Sequence, residues 1–115
     1  MSRYAVDEEN RALVAALGRP LRVLDVGCGR GLNGAAAKRK GAHVTGIDLD
    51  VTSASACLDD VLAVDLTDAD ALSRSLNGAS FDLMLFGDVL EHLPEPERVL
   101  ETLMPHLEDG GRVII

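Results

Sequence analysis

The chain has 115 residues, 47% of them apolar but only 3% aromatic, and a formal net charge of −8. That length is one domain, with a core to be built from Leu, Val, Ala and Ile. With no basic run longer than Lys38-Arg39-Lys40, it has no nucleic-acid footprint. No apolar run is long enough to cross a bilayer, and the N-terminal residues lack a signal-peptide core, so the expectation is a cytoplasmic protein without a membrane partner.

Residues 3 to about 17 set Val6, Leu13, Val14 and Leu17 near one stripe, with Asp7-Glu8-Glu9 in the first turns. This predicts a helix, which Gly18 and Pro20 end. Leu21 to Val26 reads as a buried first strand, and Gly27, Gly29 and Gly31 as a tight turn. A small-residue helix follows from about 31 to 40, its end complemented by Lys38-Arg39-Lys40 and stopped by Gly41. His43 to Ile47 is the second strand, ending at Asp48, and completes a parallel, right-handed βαβ unit.

Residues 49 to 60 are short for a second crossover helix and fit two turns, or a loop with one turn. Val61 to Val64 is the third strand, ending at Asp65. A helix over about 68 to 77 has Thr67 or Asp68 as its cap and Asn77-Gly78 as its stop. Phe81 to Phe86, nearly continuous in apolar residues, predicts a strand buried on both faces. A last helix runs from about 95 to 107, bent or stopped by Pro105, and Asp109-Gly110-Gly111 turns into a fifth strand, Arg112 to Ile115.

The glycine turn leaves no Cβ between backbone and ligand, and N–H groups at a helix start favour a polar or anionic group. Gly29-Arg-Gly31-Leu-Asn-Gly34 fits the dinucleotide pattern G-x-G-x-x-G literally. In that fingerprint the first glycine directly follows the strand, whereas here Asp25 sits in the strand end and Gly27 precedes the triplet. Cys28 and Cys57 are too few and too far apart for zinc and read as reduced structural thiols. Asp25, Asp48, Asp65 and Asp88 each stand at or just past the carboxyl end of a strand, the edge where open parallel sheets bind ligands.

Val23-Leu-Asp-Val-Gly-Cys-Gly-Arg-Gly resembles motif I of the class I S-adenosylmethionine-dependent methyltransferases. Gly87-Asp-Val-Leu-Glu-His-Leu-Pro-Glu-Pro, with Leu107-Glu-Asp-Gly-Gly-Arg-Val-Ile-Ile beyond it, is similar to the segment after strand four of the small-molecule methyltransferases related to ubiquinone and menaquinone biosynthesis enzymes. The resemblance implies an α/β fold, a Rossmann-like three-layer sandwich with a five-stranded parallel sheet of order 3-2-1-4-5. It also implies S-adenosyl-L-methionine as cofactor and a small-molecule methyl acceptor.

By the same resemblance, Asp48 accepts from the ribose hydroxyls, Asp65 meets the adenine amino group, and Leu49 and Leu66 flank the ring. Gly27, Cys28, Gly29 and Gly31 approach the methionine part, and Asp25 faces its ammonium. Gly87, Asp88, Leu90 and His92 line the sulfonium and the acceptor entry, with His92 a candidate general base and Asp88 beside it. The bland readings are a turn at Asp48, a helix cap at Asp65 and a capping or packing histidine at His92. Asp88-x-x-Glu91-His92 is also similar to an acidic metal-binding segment of quinone-pathway relatives, although a polar turn accounts for it equally.

The family fold has seven strands and this sequence reaches only the fifth, so a C-terminally shortened domain is expected. Its apolar edge strand is then expected to pair with a second copy. Two rivals to the enzyme reading are a non-catalytic cofactor-binding or interaction module and a nicotinamide dehydrogenase of Rossmann type.

Overall fold

The structure, a computed structural model, describes residues 11–18 and 20–115. Its elements in chain order are α1 (Arg11–Ala16), β1 (Arg22–Val26), α2 (Leu32–Arg39), β2 (His43–Asp48), β3 (Asp60–Ala63), α3 (Ala69–Leu76), β4 (Phe81–Leu85), α4 (Pro96–Leu103) and β5 (Leu107–Ile114). The five strands form one sheet of order β3-β2-β1-β4-β5, and every pairing is parallel. This is the order the resemblance implied.

Each face of a parallel sheet must be covered, and alternate residues of a strand point to opposite faces. Val23, Val44, Leu83 and Leu85 pack with Leu17 and with Ala36 and Ala37 of α2. Leu24, Val26, Ile47 and Met84 pack with Leu72 and Leu76 of α3 and Val99 and Leu103 of α4. Helix α2 has almost no large apolar side chain and gains its contact by close approach. A Cβ on Gly34 would come within 2.7 Å of Leu58 Cδ2 and 3.0 Å of Val44 Cγ1. On the strand beneath, a Cβ on Gly46 would meet Leu58 Cδ1 at 2.5 Å and Cys28 Sγ at 2.8 Å. Small residues here let the glycine turn and α2 settle directly on β2.

Helix ends follow local chemistry. Asp68 caps α3 by accepting from the Ala71 N–H at 3.1 Å, and Asn77 closes it in the left-handed region. Pro96 opens α4 where a missing N–H costs nothing. The expected helix to residue 107 is shorter: α4 ends at Leu103, and Met104–His106 around Pro105 form one tighter turn. His106 is buried there, and its Nδ1 donates to the Ala79 carbonyl at 2.7 Å, which requires the proton on Nδ1.

Between β2 and β3 there is a loop with a single tight turn, Ala54–Ala56, one of the two expected forms. Some boundaries differ from expectation. β3 starts one residue early, at Asp60. The largest difference is β5, which starts at Leu107 rather than Arg112. Asp109-Gly110-Gly111 does not precede the strand but bulges inside it: two steps along β4 from Phe81 to Leu83 match five along β5 from Leu107 to Arg112. Gly110, at φ 79°, permits the bulge.

The part of the expected first helix before Arg11 lies outside the described residues. Where α1 ends, the Arg112 guanidinium donates to the carbonyls of Ala16, at 3.0 Å, and Leu17. A cation on the last carbonyls of a helix complements its dipole and ties α1 to β5. No helix among the described residues is long and apolar enough to cross a membrane.

Candidate functional site

The parallel strands deliver their carboxyl ends to one edge of the sheet. There the chain after β1 turns through Gly27, Gly29 and Gly31, at φ 70°, 55° and 87°, a region open mainly to glycine. The N–H groups of this turn are used internally. Those of Gly27 and Cys28 donate to the Ile47 carbonyl at 2.8 and 2.9 Å, and that of Gly31 donates to the Cys28 carbonyl at 2.8 Å. The Gly29 N–H donates to Asp48 Oδ2 at 2.8 Å. These four N–H groups are therefore not open to an anion.

Asp48, the last residue of β2, is held from two sides: Oδ2 by Gly29 and Oδ1 by the Leu49 N–H at 2.7 Å. A carboxylate has about four acceptor positions, so capacity is left for a ligand's hydroxyl groups. Asp65, two residues past β3, uses one oxygen: Oδ1 accepts from the Thr67 hydroxyl at 2.7 Å and the Thr67 N–H at 2.9 Å. These bonds hold its carboxyl below the usual carboxylate range.

A cavity of about 380 Å³ opens over this edge. Of the expected site residues, Gly27, Asp48, Leu49, Asp65, Leu66, Asp88 and His92 line it. Leu49 is 70% exposed there. Gly29 stands beside Asp48 with open space where a Cβ would project. Gly87 lines a second cavity of about 320 Å³, over the ends of β4 and β5 and against α1, and Asp88 lines both. Asp88 is in the left-handed region at φ 54° and exposed, as is His92.

Besides Gly29, four expected residues line neither cavity. Asp25 is 2% exposed on the α2 face of β1, with the Gly34 N–H as donor and Oδ2 without a partner. Burial pushes its carboxyl up to about 7, against the pull of the Gly34 N–H and with help from the Asp48 charge. Cys28 points down onto Gly46, and burial, then Asp25 and Asp48, push its thiol up to about 12, so it is no thiolate nucleophile. Gly31 packs against Ala54 and Leu58, and Leu90 packs against the α3/α4 core. Asp88, Glu91 and His92 do not assemble a metal centre: no group of three or more His, Cys, Asp or Glu among the described residues could hold an ion.

The sequence reading missed Val64, Thr67, Val89, Leu93 and Pro94 on the first cavity. Three of them lie inside the quoted segment Gly87 to Pro96, and the other two flank Asp65. Ala12, Ala16, Phe86 and Ile114 on the second cavity carried no signal, because only tertiary packing brings α1 to the β4 and β5 ends.

A family model described as a methyltransferase domain matches residues 24–115. The chain belongs to this methyltransferase family. This methyltransferase domain is 32% identical to the ubiquinone biosynthesis O-methyltransferase of Psychrobacter arcticus, over 96% of this chain but 45% of that protein. It is 38% identical to the corresponding enzyme of Paracidovorax citrulli, over 80% of this chain and 41% of that one. The chain thus spans less than half the length of these curated relatives. Among solved structures, it is similar to the 1,6-didemethyltoxoflavin-N1-methyltransferase of Burkholderia thailandensis, with bound 1,6-didemethyltoxoflavin and S-adenosylhomocysteine. The TM-score is 0.69 at 30% identity, covering 90% of this chain and 48% of that one. The plantazolicin methyltransferase BpumL in complex with S-adenosylhomocysteine shares the fold, with a TM-score of 0.75 at 22% identity, over 90% of this chain and 46% of that one.

Proposed function

We propose that this methyltransferase domain binds S-adenosyl-L-methionine along the carboxyl edge of its sheet and transfers the methyl group to a small-molecule acceptor. The observation that carries the reading is the lining of the first cavity. It combines three carboxylates, Asp48, Asp65 and Asp88, with the apolar Leu49 and Leu66. Hydroxyl donors, an amine donor and a sulfonium cation suit such a wall, whereas the pyrophosphate of a dinucleotide would meet like charge and a turn whose N–H groups are already engaged. In this reading Asp48 takes the ribose hydroxyls, Asp65 the adenine amino group, and Leu49 and Leu66 the faces of the ring.

The bound cofactor supplies a methyl group already activated on a positive sulfur. The chain's own task is then to hold the acceptor in line and exclude water, which needs no catalytic triad. Asp88 and His92 are the side chains available to take a proton from the acceptor. Calorimetric competition between S-adenosylhomocysteine and NAD tests the cofactor class. Binding of the first alone, at one site per chain, supports the reading, and binding of NAD alone reverses it.

We also read the protein as cytoplasmic and as able to pair through β5. That strand lies at the sheet edge among the described residues. Light scattering at high concentration is expected to give a dimer mass, and a clean monomer removes the pairing.

A further inference from the structure

The second cavity is lined by parts of the chain far apart in sequence. Ala12 and Ala16 of α1 form one part, Ile114 of β5 another, and Phe86 to Asp88, just past β4, a third. Arg112 links the first two. Its guanidinium donates to the carbonyls of Ala16, at 3.0 Å, and Leu17. Ala16 itself lines the cavity, and Ile114 lies on the same strand as Arg112. The link therefore sets the distance from α1 to β5 where the cavity lies.

The fold is built to make this link. Leu83 is the register partner of Arg112, and Leu85 that of Ile114. Leu83, Leu85 and Ile114 pack with Leu17 in the core on the α2 side, which puts Arg112 on the face where α1 ends. The bulge in β5 decides which residue arrives there. Counted without it from the Phe81–Leu107 pair, the partner of Leu83 would be Asp109. A carboxylate at that place would repel the helix-end carbonyls that the guanidinium satisfies. Gly18, at φ 66°, keeps the space clear: a Cβ there would stand 3.2 Å from Arg112 Nη2.

We propose that Arg112 is a positioning residue for the ligand: it holds α1 at the distance from β5 at which the second cavity takes the amino-acid end of the cofactor. The proposal rests on the cofactor reading above, with adenosine over β2 and β3 and the amino-acid end running past the glycine turn toward Asp88 and α1. Arg112 lines neither cavity and acts through α1. Leu17, fully buried, pins the end of the helix on the α2 side, and the guanidinium adds a second hold on the β5 side. Without that second hold, α1 spends part of its time displaced. A ligand that reaches α1 then binds only the fraction of molecules with the helix in place, and its apparent affinity falls by that fraction. No residue of α1 lines the first cavity, so adenosine alone does not sense the change.

The test is calorimetry on the whole chain with two probes, S-adenosylhomocysteine and adenosine, the latter measured by displacement of the former. Arg112→Met keeps the length of the side chain and loses its donors. It should weaken S-adenosylhomocysteine by about fivefold to tenfold and leave adenosine within about twofold. Arg112→Lys returns a cation with donors and should restore S-adenosylhomocysteine to within about threefold of the wild type. A purely structural role would not produce this split between probes. Circular dichroism checks the folding of each variant. If Arg112→Met does not fold, Arg112→Gln, with one amide donor, takes its place and should weaken S-adenosylhomocysteine alone by about threefold. The role of Arg112 is overturned if S-adenosylhomocysteine binding is unchanged in the variant without the cation, if both probes weaken together, or if Arg112→Lys restores nothing. A wild-type chain that binds neither probe, or from which adenosine displaces no S-adenosylhomocysteine, removes the cofactor reading and the proposal with it. A wild-type chain that binds both probes while ignoring position 112 removes the proposal alone.

Discussion

Asp48→Ala is expected to weaken S-adenosylhomocysteine binding by about 100-fold, roughly 2–3 kcal/mol, the loss of two hydrogen bonds to a charged acceptor in a sheltered site. The size follows from what the carboxylate does on both sides. Toward the ligand it offers its remaining acceptor positions. Toward the protein it holds the Gly29 N–H at 2.8 Å and the Leu49 N–H at 2.7 Å, so its removal also frees the turn and the leucine beside it. Asp48→Asn keeps one acceptor oxygen and is expected to lose about tenfold. The fold should survive both changes, because Asp48 is the last residue of β2 and only half-buried. Calorimetry read against circular dichroism checks this, and unchanged affinity in Asp48→Ala would take the residue out of the site.

The second large effect concerns stability. Asp25 is buried under α2, and its carboxyl stands at about 7 in the folded chain against an ordinary 3.8. The folded chain therefore holds this proton more tightly than the unfolded chain does. Stability from this group is fully present below about pH 4 and falls as pH rises toward 7, where it levels off; the total change is on the order of 4 kcal/mol. Asp50, Asp59 and Asp65 have lowered values through their hydrogen bonds, so they act in the opposite sense and below the same window.

Asp25→Asn keeps an acceptor for the Gly34 N–H and carries no charge. Its stability in urea should match the wild type near pH 3 and exceed it at pH 8, with the difference growing between. Parallel pH profiles for the two proteins would mean that Asp25 is not the buried acid described.

Much of this was legible in the chain because short-range chemistry and sheet geometry agree. The glycine turn, the aspartate ending β2 and the apolar run of β4 each point to the same doubly covered sheet, and the strand order follows from the family that the two motifs resemble. What was not legible depended on packing across the fold. Asp25 reads from sequence as one of four acidic strand ends, yet strand alternation turns it onto the α2 face, beneath Gly34 and away from either cavity. Cys28 sits in the turn but points down at Gly46. The bulge at Asp109-Gly110-Gly111 looks like an ordinary turn until β4 pairs on both sides of it. Arg112 has no local partner at all, and its role at the end of α1 exists only once β5 is in place.

One edge of the sheet is expected to hold the adenosine part of S-adenosylmethionine over β2 and β3. The measurement that meets it most directly is a crystal structure of the 115-residue chain grown with S-adenosylhomocysteine. The expected density places the ribose on Asp48 and the adenine between Leu49 and Leu66 with its amino group at Asp65. A ligand bound away from the β2 and β3 ends, or with its ribose clear of Asp48, would contradict it.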